Sequence, residues 1–163
     1  MPTIRSTCPD DRDEISRLHA HCFGPGRFTR TAYRIRESAN NADAFSWVLH
    51  DGDRLIASVR LSEVVVGGQT NALLLGPIAV DPDEKGKGHG ATLLQTAIEA
   101  AKSKGYKLIV LVGDMAFYGR FGFVVSPPGQ IFLPGPVDPA RILTLELEPG
   151  ASENCQGLIR AKA

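Results

Sequence analysis

Three glycines stand at alternate positions, Gly86, Gly88 and Gly90, with Lys85 and Lys87 among them, directly ahead of a long helix-period segment. A glycine costs about 0.5–1 kcal/mol relative to alanine in ordered backbone. The arrangement therefore implies a compensating contact. A helix start offers unsatisfied N–H groups and roughly half a positive charge. Bare backbone ahead of it lets an anion come close to those groups, and the two lysines add positive charge. The segment reads as a phosphate or pyrophosphate cradle. Each charge-assisted hydrogen bond contributes about 1.5–3 kcal/mol, so three or more would offset the glycines. Two nucleotide motifs are excluded. GxxxxGK followed by Ser or Thr is absent, and the glycines run G-x-G-x-G rather than G-x-G-x-x-G. On its own, the motif leaves open a glycine-rich turn that binds nothing.

Other residues could act on a ligand held there. Gly76-Pro77 interrupts an otherwise apolar strand. Proline cannot donate to the ladder, and glycine marks a bulge or a close backbone approach. A bulge would splay the strand from a parallel neighbour and free backbone groups at 78–80, where an extended ligand arm could pair like an added strand. Tyr118, in "FYGRFGF", follows the next strand and could give a proton to a leaving group, although core packing would explain such a tyrosine as well. Glu63 continues the apolar face of its strand and is the candidate general base; a strand-end glutamate reaching solvent is the alternative. The "HAHC" stretch, residues 19–22, does not make a metal site, because His19 and His21 are two apart and cannot share a helical face. His50 is expected in solvent, and Arg27, Arg30, Arg34 and Arg36 form a local basic patch.

These residues need elements to position them. Residues 3–6 read as a strand and 9–21 as an amphipathic helix opened by Pro9 and a run of acids. "GPGRF" breaks that helix, and a shorter one is expected over 29–38. Phe45, Trp47 and Leu49 alternate as a strand, and Asp51-Gly52 turns the chain into a second one over 55–66. Its faces are expected to be Leu55, Ala57, Val59, Leu61 and Glu63 on one side, and Ile56, Ser58, Arg60 and Ser62 on the other. Gly67-Gly68 leads to a strand over 72–80, apolar almost throughout. A helix over 88–104 buries Leu94, Ala97, Ile98 and Ala101, and 107–112 is a buried strand. Strand, helix and strand joined by so long a crossover imply a parallel pair. A short helix follows at 115–120, then "FGFVV", a Pro/Gly-rich loop over 127–139 and a closing strand in "ARILTLELE". The tail after Gly150 is expected to be loosely held.

Composition narrows the classes. The chain has 163 residues, enough for one domain with a core, and a formal net charge of zero. Bulk electrostatics therefore gives no reason to expect nucleic acid or an anionic membrane as partner. No apolar run is long enough to span a bilayer, and the polar, acidic start is unlike a signal peptide. Three cysteines, Cys8, Cys22 and Cys155, are an odd number without CxxC spacing, which points to no disulfide framework and to a cytoplasmic setting.

Bulged strand, "EKGKGHGATLL", parallel strand and "YGRFGF" together resemble the GNAT superfamily of acetyl-CoA-dependent N-acetyltransferases, in wording closest to a bacterial branch of predicted acetyltransferases. The family motif R/Q-x-x-G-x-G/A is matched by "KGKGHG", residues 85–90, with lysine in the first place. The likeness is good over 73–123 and rests on element order before that. It implies an α/β fold: a mixed, mostly antiparallel central sheet with one splayed parallel pair, flanked by helices. It also implies acetyl-CoA as co-substrate and no metal. Ile78, Ala79 and Val80 would pair with the pantetheine arm. Lys85, Gly86, Lys87, Gly88, His89, Gly90 and Ala91 would surround the pyrophosphate. Tyr118 would be the general acid and Val80, or a neighbour, an oxyanion donor. Asp114 stands where the family often has asparagine. The expected reaction is direct acetyl transfer to a primary amine of a small molecule or peptide. A non-catalytic acyl-CoA-binding or sensing module is the alternative. An edge strand could pair across a homodimer.

Overall fold

The computed structural model describes residues 2–23, 45–127, 129–133 and 137–161. The expected helix over 29–38 and the arginines Arg27, Arg30, Arg34 and Arg36 lie outside the described residues. The chain forms β1 (Thr3–Ser6), a 3-10 turn at Pro9–Asp11, then α1 (Arg12–Phe23). Next come β2 (Phe45–Asp51), β3 (Arg54–Val66) and β4 (Gln69–Val80). Helix α2 (His89–Ser103) crosses to β5 (Leu108–Val112), and α3 is the single turn Met115–Tyr118. Strands β6 (Val124–Val125), β7 (Ile131–Phe132), β8 (Ile142–Glu146) and β9 (Gly157–Ala161) complete the described chain.

The strands lie in the order β1-β2-β3-β4-β5-β8-β6, with β9 against both β3 and β7. Along that path every pair is antiparallel except β4 with β5, the pair joined by the α2 crossover. The second parallel pairing is the short one of β7 with β9. Helix α2 covers one face. Its stripe of Leu93, Leu94, Ala97, Ile98 and Ala101 packs on Ile56, Ala57, Val59, Leu61, Leu73, Leu75, Ile109 and Leu111. Each such leucine or isoleucine contributes about 1.5–3 kcal/mol by leaving water. Helix α1 covers the other face through Leu18, against Val48, Leu55 and Ala79.

Two expectations are corrected. The tail is not loosely held: β9 pairs antiparallel with Val64–Val66, and Ala151, Cys155 and Ile159 are buried in a second apolar cluster with Leu74, Leu108 and Val110. Strand β8 therefore lies inside the sheet and does not close the chain. The reason is steric as well as apolar. Gly157 and Gly67 cross so closely that a Cβ on Gly67 would lie inside the Gln156 carbonyl, which a sequence pattern for turns does not reveal. The two faces expected for β3 are also exchanged near its start. A register shift between Leu49 and His50 sends Leu55 toward α1 and Ile56 toward α2.

Candidate active site

Strand β4 runs beside β5 only at Ala72–Leu74, opposite Leu108–Val110. The cause lies one step further on. Between the pairs Leu61 with Leu75 and Val59 with Ile78, β4 carries one residue more than β3, and this bulge contains Gly76-Pro77. Among the described residues, β4 has no ladder partner on its β5 side from Leu75 to Val80, so a gap opens in the sheet. The main chain lining it is oriented. Asp81 donates its N–H to the Ile56 carbonyl at 2.8 Å. By the two-residue alternation of a strand, Ala79 also faces β3, while Ile78 and Val80 turn their backbone groups toward the gap.

The glycine segment meets the end of this gap. Gly86 and Gly88 take φ of +83° and +82°, the left-handed region where a side chain would be strained, and open space lies where a Cβ would be. Gly88 is the N-cap of α2 and supplies no side-chain cap, so the first N–H groups of the helix, toward Gly90 and Ala91, face outward. Gly90 seats the helix on the strand: a Cβ there would lie 3.5 Å from Cγ2 of Val80 and 3.9 Å from Cζ of Phe117. The cradle, the end of β4 and α3 are thereby brought together.

The charges differ from a pair of free lysines. Lys87 binds the Glu84 carboxylate at 2.8 Å, which also receives Arg54 at 3.3 Å and lies 3.8 Å from Nε2 of His89. The lysine bond, more than any other contact, holds the Glu84 carboxyl below its usual range. His89 is half-buried beside Glu84. Lys85 is exposed and close enough to Cys22 to favour its thiolate, against the larger opposing effect of burial. The Cys22 thiol donates to the Val80 carbonyl at 3.3 Å, and burial pushes its pKa up.

Tyr118 ends α3, the turn that leaves β5. Asp114 caps that turn, accepting from the Ala116 N–H at 3.0 Å, which accounts for its carboxylate locally. The Tyr118 ring lies 4.9 Å from that of Phe117 and 5.8 Å from that of Phe123. Its other wall is Gly113, where a Cβ would come within 2.4 Å of Cε2 of Tyr118. Burial raises the Tyr118 pKa, with a smaller opposing effect of Arg141. Sequence reasoning passed over Gly113. The available signal was a glycine at the end of a buried strand, five residues before the tyrosine.

Glu63 stands at the closed end of the gap. It lies opposite Leu73, two residues of strand or about 7 Å from the level of Leu75 where the gap opens, and six residues or roughly 20 Å from the level of Val80. There its carboxylate accepts a 2.5 Å hydrogen bond from the Tyr106 hydroxyl. Its place on the apolar face is explained by that partner. Nor is His50 left to solvent alone, since its Nε2 lies 2.9 Å from the Arg5 guanidinium. Among the described residues no group of three or more His, Cys, Asp or Glu side chains is placed to hold a metal ion. No helix among them is long and apolar enough to cross a membrane.

A parted parallel pair, a glycine-cradled helix start at its mouth and a tyrosine beside it define the acyl-CoA-dependent acyltransferase class of fold. Residues 12–123 match the model of the Acetyltransferase (GNAT) family, and the chain belongs to that family. It is 34% identical over 128 residues to YhbS of Escherichia coli K12, an uncharacterized N-acetyltransferase, covering 76% of this chain and 74% of YhbS. The crystal structure of YhbS from Escherichia coli in complex with CoA superposes with a TM-score of 0.82 and 25% identity, over 99% of this chain and 89% of that one. A GNAT family acetyltransferase from Brucella melitensis in complex with acetyl-CoA shares the fold, with a TM-score of 0.75 and 24% identity over 100% and 97% of the two chains.

Proposed function

We propose that this acetyltransferase moves the acetyl group of acetyl-CoA directly to a primary amine of a small molecule or peptide. The observation that carries the reading is the gap between β4 and β5, which ends at an uncapped helix start preceded by two glycines in the left-handed region. The residues suit the co-substrate. The backbone of Gly86, Gly88, Gly90 and Ala91 would hold the pyrophosphate, with Lys85 adding charge at the rim and Lys87 and His89 near it through Glu84. Ile78 and Val80 would pair with the pantetheine arm, and the adjacent Ala79 keeps that edge fixed to β3. Asp114 would act by capping the turn that carries Tyr118.

In the transfer, a carbon–nitrogen bond forms to the amine as the carbon–sulfur bond of the thioester breaks. The N–H of Val80 or Ile78 would steady the developing oxyanion. Holding both reactants in place supplies up to about 7–11 kcal/mol of the acceleration. The amine loses a proton and the departing thiolate gains one, from Tyr118. Burial makes this tyrosine a weaker acid, which lowers the driving force but keeps it protonated at neutral pH. A thioester relay through Cys22 is disfavoured, because the same physical effect keeps its thiol protonated and poorly nucleophilic. A lysine-like amine, with pKa near 10.4, is only about 0.04% neutral at pH 7. The Glu63 carboxylate is engaged by the Tyr106 hydroxyl, so on this reading the proton would leave through water.

Calorimetry with acetyl-CoA, followed by a panel of amines with detection of free thiol, tests the reading. Saturable heat and amine-dependent thiol release are expected. Absence of heat would sink it, and tight binding with no turnover of any amine would favour the non-catalytic module instead.

A further inference from the structure

On the acetyl-transfer reading above, on which this inference rests, the coenzyme enters the gap between β4 and β5 from the glycine cradle at the start of α2. Helix α2 covers one face of the sheet and α1 the other, so the amine would reach the thioester from the α1 face, where side chains level with the gap decide which amines fit.

Sheet register identifies them. Arg60 lies between Val59, paired with Ile78, and Leu61, paired with Leu75, so it stands across from the bulge where β4 leaves β5. Ser58 contacts His19 of α1, with 3.5 Å between Oγ and Nε2. The two-residue period of the strand puts Arg60 and Ser62 on that same face. Ser46 of β2 is directly opposite Arg60. Thr7 extends the row, donating its N–H to the Ser46 carbonyl at 2.8 Å.

This is a polar stripe inside a sheet whose neighbouring positions on the same face are Val48, Val64 and Leu74. Ser46, Ser58 and Ser62 are all buried, and Ser62 is only 1% exposed. Among the described residues, the buried hydroxyls of Ser62 and Thr7 have no hydrogen-bond partner. Buried hydroxyls without partners are unfavourable and uncommon; Ser62 is the next residue along the same face from Arg60, and Thr7 lies across the sheet beyond Ser46. The arginine is half-buried and engages a neighbour within the folded chain. Its guanidinium carries five donors in one plane, so an internal partner leaves donors for a second acceptor. That fork matches a carboxylate at two points.

We infer that the acceptor is an amine carrying a carboxylate, that Arg60 grips the carboxylate, and that the Ser62 hydroxyl beside it completes its hydrogen bonds. Arg60 is the specificity-determining residue of the site.

The test compares amino acids, ω-amino acids and dipeptides, each against its own carboxamide, with acetyl-CoA affinity measured alongside by calorimetry. The wild type is expected to show a KM at least about 10-fold lower for the carboxylate member of a pair. Arg60→Gln is expected to erase that difference with acetyl-CoA affinity unchanged. Arg60→Lys, which keeps charge but not the fork, should leave a reduced preference, and it serves as the readout if Arg60→Gln does not fold. The inference is overturned if acetyl-CoA binds yet no carboxylated amine outperforms its carboxamide, or if the folded Arg60 variants keep the full preference. Failure to bind acetyl-CoA at all would instead remove the proposed function beneath it.

Discussion

A proton donor is useful only while its hydroxyl stays in one place, and Gly113 fixes Tyr118 by leaving no room for anything but the ring. Tyr118→Phe is expected to lower kcat by about 10²–10⁴-fold with the KM for acetyl-CoA nearly unchanged, as loss of a general acid does. Gly113→Ala should reproduce part of that loss, since its Cβ would lie 2.4 Å from Cε2 of Tyr118 and push the ring aside. Steady-state kinetics on both variants checks the pair. If Gly113→Ala keeps full kcat, the ring is not held as described. Glu63 gives the opposite case. Glu63→Gln should leave kcat within about twofold and cost about 1 kcal/mol of stability in urea unfolding, the worth of its hydrogen bond from Tyr106. The glycine pattern and Tyr118 were legible because their spacing is local. The surroundings of Glu63 were not legible, because alternation identifies a face of a strand but not a partner 43 residues away.

At the scale of elements, the site depends on how α2 meets β4. The helix begins at a glycine whose φ of +82° is strained for most side chains, and its first N–H groups are thereby left for a ligand. Gly88→Val should raise the KM for acetyl-CoA by about 10-fold or more, through backbone strain and obstruction together, while the fold survives. Calorimetry and circular dichroism distinguish loss of the cradle from loss of the helix. Normal acetyl-CoA affinity in the folded variant would rule out this cradle. The bulge at Gly76-Pro77 was readable as an interruption of an apolar strand. Its consequence, a parallel pair that parts after Leu74, needed the register of both neighbours.

For the whole molecule, β9 is the strand that pattern reading undervalued. Ile159 is fully buried between β3 and the second apolar cluster. Ile159→Ala should cost about 2–5 kcal/mol, read as a lowered urea midpoint with an unchanged slope. A variant as stable as the wild type would restore the picture of a loose tail. Stability should also fall at high pH. Tyr106 and Tyr118 are both held above the usual tyrosine range, chiefly by burial, and Tyr106 also by its bond to Glu63. Their contribution is complete below pH 10, where the unfolded chain's tyrosines are protonated too. It is lost as pH rises further, because the unfolded state then releases protons that the native state keeps. Urea unfolding from pH 8 to 11 measures this, and Tyr106→Phe should flatten part of the slope.

The sequence by itself determined the local features: the glycine cradle before a helix, the apolar strands and helix stripe around it, the broken strand and the tyrosine after a turn. These are set by periodicity, backbone freedom and side-chain chemistry within some ten residues. Tertiary structure decided what those features face. It set Glu63 against Tyr106, bound Lys87 to Glu84, closed Gly113 on Tyr118, buried the tail beside β3 and lined up Arg60 with buried serines of β2 and β3. Each outcome depends on register between segments distant in the chain, where a shift of one residue turns a side chain to the other face of the sheet.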